Sequence, residues 1–136
     1  MADFNQQIID EFRSNGGKVP SYPLEDPSAI VLVHHTGAKS GTERVTPLVS
    51  QLKGDDIVVF ASYAGAPTNP AWFHNLVANP ETVVELGTET IPVTVRVAEG
   101  SERDEIWETQ KQLQPGFAEY EDKTDRTIPV VVLERA

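Results

Sequence analysis

Closely spaced pairs of β-type segments are the feature that most constrains the fold of this chain. Residues 44–53 and 57–61 are rich in apolar and β-branched side chains, and only Gly54, Asp55 and Asp56 separate them, as in a hairpin. Residues 82–86 and 90–97 form a second such pair around Gly87. Strands joined by turns this short run antiparallel. The pattern therefore predicts an antiparallel sheet or small barrel and disfavours a doubly wound parallel fold.

Two further strands are predicted over residues 29–36 and 128–133. The second of these is apolar at successive positions, which predicts a central strand covered on both faces. Together the six segments indicate an α+β fold with about six mostly antiparallel strands and three helices, in a single domain over residues 1–136. With 136 residues and no linker or repeat, one hydrophobic core suffices.

Helix signals flank these strands. Residues 3–14 carry Phe4, Ile8 and Phe12 at helical spacing, which predicts a first helix with Asp3 at its N-cap. The second helix is predicted to have Asn69 as its N-cap and Pro70 as its first residue, and to stop at residues 79–80. A third helix is predicted to open at Ser101 with a near capping box, followed by a short turn or helix over residues 117–122.

Charge and composition exclude several classes of function. The formal net charge of −10 disfavours binding to DNA or RNA, and the absence of cysteine excludes disulfides and thiolate metal sites. No apolar run approaches the roughly 18 residues of a membrane span, and the first residues show no secretory signal, so a cytoplasmic location is predicted. The first helix is predicted to pack on the core; its contact with a membrane surface or the substrate mouth is the alternative.

The segment over residues 35–48 contains the strongest indication of a binding site. Gly37 and Gly41 permit a positive φ that turns backbone N–H groups toward a guest, while Lys39 and Arg44 supply charge and Ser40 a hydroxyl donor. Such a loop suits a phosphate, although a solvated hairpin loop would have the same composition. It is not a Walker motif, because the glycine that must precede the lysine is replaced by alanine.

Other common chemistries have no support in the sequence. There is no Rossmann fingerprint, no nucleophile elbow and no zinc-protease helix. The imidazoles are His34, His35 and His74, and the adjacent pair faces opposite sides of a strand, so no metal site is predicted and a hydrogen-bonded structural role is favoured for each histidine. A phosphate-type loop beside a small-residue segment instead favours a bulky cofactor that carries the chemistry.

Three motifs resemble the deazaflavin-dependent nitroreductase family of actinobacteria and its F420H2-dependent quinone reductase-like split-barrel proteins. They are Gly37-x-Lys39-Ser40-Gly41-x-x-Arg44-x-x-Pro47-Leu48, then Ser62-x-x-Gly65-x-x-x-Asn69-Pro70-x-Trp72-x-x-Asn75-Leu76-x-Ala78-Asn79-Pro80, and Thr124-Asp125-Arg126-x-Ile128-Pro129-Val130. The resemblance covers nearly the whole chain. It implies a split β-barrel that binds coenzyme F420 and passes a hydride from the reduced deazaflavin to a quinone, a nitroaromatic or a similar acceptor.

The resemblance also implies roles for individual residues. The cofactor-binding residues would be Lys39, Ser40, Gly41, Arg44, Pro47, Ser62, Tyr63, Ala64, Gly65, Trp72 and Asn75. Lys39, Ser40 and Arg44 would hold the cofactor phosphate. Residues 62–65 would line the ring, with Trp72 beside it, although Trp72 alone suits a core position equally well. Tyr120 or Ser62 would supply a proton to the reduced acceptor.

Some features leave alternatives open. Gln114 and Phe117 stand where the nitroreductase has tyrosines, which argues against reduction of nitroimidazoles. Phe117 and Tyr120 are interpreted either as core residues or as a second pocket wall. A carrier or sensor that binds F420 or a flavin without turnover is the alternative function, and flavin mononucleotide is the less favoured cofactor. The chain is expected to be a monomer or a homodimer.

Overall fold

The computed structural model of the chain describes residues 4–19, 30–61, 69–113, 115–124 and 127–135. Four helices and six strands follow in the order α1 (Phe4–Ser14), β1 (Ile30–Thr36), β2 (Glu43–Lys53), β3 (Asp56–Phe60), α2 (Ala71–Ala78), β4 (Glu81–Leu86), β5 (Glu89–Val97), α3 (Gly100–Leu113), α4 (Gly116–Asp122) and β6 (Val130–Arg135). Each of the six predicted strands is present, with bounds that differ by one or two residues.

The six strands close into one barrel in the order β1-β2-β3-β6-β5-β4, and every neighbouring pair is antiparallel. The predicted antiparallel barrel is thus confirmed. The ladder between β1 and β4 completes the closure, and it is short: Leu32 pairs with Glu85 and Val33 with Val84. The hydroxyl of Thr82 extends this seam by donating to the carbonyl of His34 over 2.6 Å.

The two ends of the barrel differ in what they carry. At one end, here called the turn end, the tight turns at residues 54–55 and 87–88 join β2 to β3 and β4 to β5. The other end, here called the loop end, holds the hairpin loop over residues 37–42, the chain leaving β3 at Ala61, helix α2, and the chain entering β6. All three motif segments singled out in the sequence therefore meet the barrel at its loop end.

Three apolar clusters hold the fold together. The barrel interior is filled by alternate strand residues such as Val31, Val33 and Val131, together with Trp72 and Leu76 from α2. A second cluster packs α3 and α4 on the outside of β3 and β6, and a third packs α1 on the outside of β1. Removing these side chains from water is the main stabilising contribution to a domain of this size.

The last strand shows why its sequence is apolar at successive positions. Val131 and Leu133 face the barrel interior, whereas Val130 and Val132 face the cluster formed by α3 and α4. Because helices cover the outer face, both faces of β6 are buried. The prediction of a strand covered on both faces is confirmed.

Helix α1 packs as the core interpretation predicted. Ile8, Ile9 and Phe12 are buried against Ile30 and Leu32 of β1. Among the described residues, no helix is long and apolar enough to cross a membrane. The predicted N-cap of this helix, Asp3, lies outside the described residues.

Three local predictions are corrected. The short segment after Pro115 is a fourth helix, so the count of three helices was too low. Pro70 rather than Asn69 occupies the N-cap position of α2 and makes no side-chain cap bond, because the fixed φ of proline already directs the chain into the first turn. Helix α3 begins at Gly100, so Ser101 lies inside its first turn instead of capping it.

Candidate active site

The hairpin loop over residues 37–42 is closed by its own hydrogen bonds. The N–H of Gly37 donates to the carbonyl of Thr42 and the N–H of Gly41 donates to the carbonyl of Gly37, both over 2.9 Å. The N–H of Thr42 donates to Ser40 Oγ over 3.2 Å. Gly41 adopts φ 69°, which its lack of a side chain permits. The loop is thus a compact structure, joined to β1 and β2 at either side.

The two glycines of the loop serve different purposes, which corrects part of the sequence interpretation. Both glycines permit a positive φ, but only Gly41 has one. At Gly37 the requirement is space, because a Cβ there would overlap with Ser40 Oγ. In addition, the N–H groups of Gly37, Gly41 and Thr42 bond within the loop and are therefore not turned toward a guest.

The donors that remain available lie in the hairpin loop and at the start of β2, where Arg44 is the second residue. Within the described ranges, the N–H groups of Lys39 and Ser40 have no hydrogen-bond partner, and the ammonium of Lys39 and the guanidinium of Arg44 have no carboxylate within ion-pair distance. All three residues are exposed. In a chain with a net charge of −10, this is a local concentration of donors and positive charge suited to an anion.

A buried polar network connects this loop to helix α2. Asn75 Oδ1 accepts a hydrogen bond from the N–H of Ala38, and Asn75 Nδ2 contacts His35 Nδ1, each over 3.0 Å. On the other side of the ring, His35 Nε2 lies 2.8 Å from Thr46 Oγ1. Burial, with the neighbouring Arg44 and His34 charges, lowers the pKa of His35, so the imidazole is neutral at pH 7.

Sequence reasoning did not assign a site role to His35 or Thr46. It favoured a hydrogen-bonded structural role for each histidine, and that interpretation is confirmed for His35 and for His34, whose Nε2 lies 2.8 Å from Glu85 Oε2. A usable signal was present, because His35 shares strand parity with Val31 and Val33, which face the interior. The strand parity of His35 predicted that its side chain is buried, but it did not predict its hydrogen-bond partner on α2, Asn75.

Other predicted site residues lie in different surroundings. Trp72 is only 7% exposed and packs in the interior cluster, where it closes the loop end of the barrel. Pro47 pairs with Leu32 on the face that α1 covers. Ser62, Tyr63, Ala64, Gly65 and Gln114 lie outside the described residues. The cofactor-binding roles assigned to Trp72, Pro47 and residues 62–65 stay predictions.

Tyr120 of α4 packs on the outside of the barrel, against the cluster that covers β3 and β6. It is half-buried and contacts Phe117 with ring centroids 5.3 Å apart, and Phe117 in turn contacts Phe60 at 5.7 Å. Phe117 is buried, so it belongs to the core of this outer cluster. In the part of the chain that the structure describes, Tyr120 makes no hydrogen bond or ring contact with the hairpin loop or α2.

The residues at the loop end do not form a metal centre. Within the described ranges, no group of three or more histidine, aspartate or glutamate side chains is arranged to hold an ion. The chemistry that the arrangement offers is recognition of an anion at residues 39–44, beside a helix that closes an apolar barrel. These properties match a protein whose reactive group is a bound organic cofactor.

A closed six-stranded antiparallel barrel with helices across its end and side places the chain in the split-barrel class. The family described as F420H(2)-dependent quinone reductase matches residues 6–135. The chain belongs to this family. It is therefore an F420H2-dependent oxidoreductase, with coenzyme F420 as its cofactor, which confirms the first of the two predicted functions. The family is that of the quinone reductases, so the nitroreductase part of the resemblance was the less accurate one.

Individual relatives agree with this assignment. An F420H(2)-dependent quinone reductase of Mycobacterium tuberculosis is 35% identical over 123 residues, which cover 88% of this chain and 79% of the relative. The solved structure of an F420-H2 dependent reductase is 41% identical, with a TM-score of 0.72, over 78% of this chain and 94% of that one. A relative solved as a domain-swapped dimer is 36% identical, with a TM-score of 0.74, over 95% of each chain.

The described residues fit such a cofactor. F420 carries a phosphate. Among the described residues, the loop offers two N–H donors without partners, and Lys39 in the loop and Arg44 in β2 are cations without counter-ions. The donor set is therefore of the right charge and type. Asn75 of helix α2 contacts this loop, and Trp72 of the same helix packs in the apolar interior.

Proposed function

We propose that the chain is a quinone reductase whose hairpin loop holds the phosphate of F420 through Lys39, Ser40 and Arg44. The observation that carries this proposal concerns the loop and the adjoining start of β2. Among the described residues, the N–H groups of Lys39 and Ser40 have no partner and the Lys39 and Arg44 side chains have no counter-ion, although the net charge is −10. Backbone N–H groups that are fixed in place bind an anion at little cost in conformational entropy. The quinone acceptor is suggested by the names of the family and its relatives.

The cofactor and the protein have different proposed roles in the reaction. When bound, reduced F420 supplies the hydride. Lys39, Ser40 and Arg44 would hold the phosphate, and residues 62–65 would line the ring, as the resemblance implies. Tyr120 or Ser62 would give a proton to the reduced acceptor. If Tyr120 does so, replacing it with phenylalanine lowers kcat and leaves the affinity for F420 unchanged.

The phosphate assignment is tested by removing both cations. We expect Lys39→Ala combined with Arg44→Ala to weaken F420 binding by about 30-fold, since two exposed charge-assisted contacts contribute about 1 kcal/mol each. Fluorescence quenching of F420 measures the affinity. The matched control is Lys18→Ala with Lys53→Ala, which makes the same change in net charge at the turn end and should leave the affinity within twofold. Equal losses in the two double variants would mean that net charge, rather than this loop, governs binding.

Acceptor choice is tested with the unmodified protein. Steady oxidation of F420H2 by menadione, at a rate above that with a nitroaromatic of similar size, would support the quinone assignment. The reverse order would make nitro compounds the proposed substrates. A parallel titration with flavin mononucleotide tests the cofactor preference, and tighter binding of the flavin would contradict the proposed use of this loop.

Assembly as a homodimer is a further part of the proposal. A relative covering 95% of this chain has been solved as a domain-swapped dimer. In this chain the seam between β1 and β4 has two residue pairs, so exchanging an element there would disrupt few ladder bonds. Size-exclusion chromatography with light scattering tests this, and a monomer at all accessible concentrations would contradict it.

A further inference from the structure

The side-chain amide of Asn75 has an orientation that the surrounding hydrogen bonds determine. The backbone N–H of Ala38 can only donate, so the atom that it contacts over 3.0 Å must be the amide oxygen. The other end of the amide is then the NH2 group, and it points at His35 Nδ1 over 3.0 Å. An NH2 group can only donate, so Nδ1 carries no proton.

The protonation state of the histidine follows from the same reasoning. With Nδ1 acting as acceptor, the single proton of the neutral imidazole lies on Nε2, which donates to Thr46 Oγ1 over 2.8 Å. His35 is 4% exposed and Asn75 is 8% exposed, so water competes little for these bonds. Bonds of this kind are costly to break singly, because the remaining partner is left buried and unsatisfied.

The position of Asn75 on its helix adds to the rigidity of this arrangement. Trp72, Asn75 and Leu76 form the buried face of α2, and the two apolar residues are anchored in the barrel interior. The backbone of Asn75 is therefore fixed by the packing of its two helix neighbours in the core, and its side-chain amide is fixed by His35. Its amide oxygen meets the hairpin loop at Ala38, one residue before the first free N–H group.

We infer that Asn75 is a positioning residue that fixes the hairpin loop in its anion-binding conformation, with His35 holding its amide in the required orientation. This inference rests on the proposed role of the loop and replaces the expected direct contact of Asn75 with the cofactor. By holding the N–H of Ala38, Asn75 leaves the N–H groups of Lys39 and Ser40 at the tip.

The first test uses the cofactor-free protein, so its outcome does not depend on F420 binding. Hydrogen exchange of the Ala38 amide should become at least about tenfold faster in Asn75→Ala. It should stay slow in Asn75→Asp, which retains an acceptor oxygen. Asn79→Ala is the matched control, because Asn79 is the C-cap of α2, four residues later. Among the described residues, its Nδ2 contacts the carbonyl of Thr36, over 3.4 Å. Unchanged exchange in Asn75→Ala would overturn the inference.

Nitrogen NMR of the imidazole tests the orientation of the amide. In the unmodified protein, Nδ1 of His35 should resonate as an unprotonated nitrogen and Nε2 as a protonated one. In Asn75→Asp, the carboxylate cannot donate, so Nδ1 should gain a proton. A protonated Nδ1 in the unmodified protein would overturn the inference, and this readout requires no variant to fold.

The second test concerns F420. Asn75→Ala should weaken F420 binding by about tenfold and leave kcat at saturating F420H2 within twofold, because the reacting groups are untouched. Asn79→Ala should change neither. If affinity falls in Asn75→Ala while Ala38 exchange is unchanged, Asn75 is a direct ligand instead. If the unmodified protein does not bind F420, the proposed function fails, whereas the exchange and NMR results still decide whether Asn75 fixes the loop.

Discussion

At the scale of single residues, His35 shows how the environment decides the role of a side chain. Its sequence neighbours His34 and Thr36 gave no indication of its partner, because Asn75 is distant in sequence and meets it only after the barrel closes. What the sequence does contain is the strand parity that buries His35. The hydrogen-bond network of His35, Asn75 and Thr46 therefore could not be predicted from sequence patterns. The exposed cations Lys39 and Arg44 could be, because they are adjacent to the glycine turn in the sequence.

The lowered pKa of His35 predicts a specific dependence of stability on pH. Burial is the main cause, followed by Arg44 and His34, and together they keep the folded-state pKa below the ordinary value of 6.5. As the pH falls below 6.5, the unfolded chain takes up a proton at this residue and the folded chain does not. The free energy of unfolding should therefore decrease from pH 7 downward, by up to about 1.4 kcal/mol per pH unit from this group.

Urea unfolding at a series of pH values checks this prediction, with His35→Asn as the comparison. The asparagine oxygen replaces Nδ1 as the acceptor for Asn75 and cannot titrate, so the variant should have a shallower slope between pH 7 and about 5. Glu85, whose pKa is lowered mainly by its hydrogen bond to Arg13, loses its contribution only below its ordinary value of 4.5, outside this window. Identical slopes in the two proteins would contradict the assignment to His35.

At the scale of elements, the sequence located the strands well and the helix starts less well. Alternation and short glycine turns determine where a strand can lie, whatever packs on it. A helix start depends on which N–H groups find a partner, and at α2 the fixed φ of Pro70 made a side-chain cap unnecessary. Helix α4 was ambiguous because seven residues form barely two turns, which are stable only when packed against something else.

Glu121 of α4 contacts two side chains of α3, the indole of Trp107 and the ammonium of Lys111, and the first contact gives a prediction. Trp107 is 1% exposed, and its Nε1–H donates to Glu121 Oε2. In Glu121→Ala this donor would be buried without a partner, at a cost of about 2 kcal/mol. The melting temperature should then fall by about 6 °C for a domain of this size.

Calorimetry of three variants separates this bond from the charge. Glu119→Ala removes the same charge from an exposed position of α4 and should change the melting temperature by no more than about 1 °C. Glu121→Gln keeps an acceptor oxygen for the indole and should remain close to the unmodified protein, since Lys111 retains its ion pair with Glu108 at 2.7 Å. Equal effects of the two alanine variants would show that the indole bond contributes little.

At the scale of the whole molecule, closure of the barrel was the step that hairpin patterns alone could not determine. Strands joined by tight turns pair for local reasons, but β1 and β4 are brought together only by the complete circuit of the sheet. The resemblance implied a split barrel, and the strand order shows its consequence: the motif segments meet the barrel at the loop end, and the tight turns of β2–β3 and β4–β5 lie at the turn end. The two ends should therefore respond differently to substitution.

Gly17 at the turn end allows this separation of stability from binding to be tested. It has φ 93°, its N–H donates to the carbonyl of Phe12 over 2.8 Å, and a Cβ there would overlap with the backbone of Gly87. Gly17→Ala should cost about 3 kcal/mol, from the left-handed backbone and the overlap together, and lower the melting temperature by about 10 °C. Gly16→Ala is the matched control: Gly16 has φ 65°, but the nearest atom to a new Cβ is Thr88 Cγ2 at 3.7 Å, so only the backbone cost of about 1 kcal/mol applies.

Well below the melting temperature, both variants should bind F420 within twofold of the unmodified protein, whereas Lys39→Ala with Arg44→Ala should lose affinity and keep its melting temperature. A loss of F420 affinity in Gly17→Ala comparable to its loss of stability would mean that the two ends are coupled through the barrel.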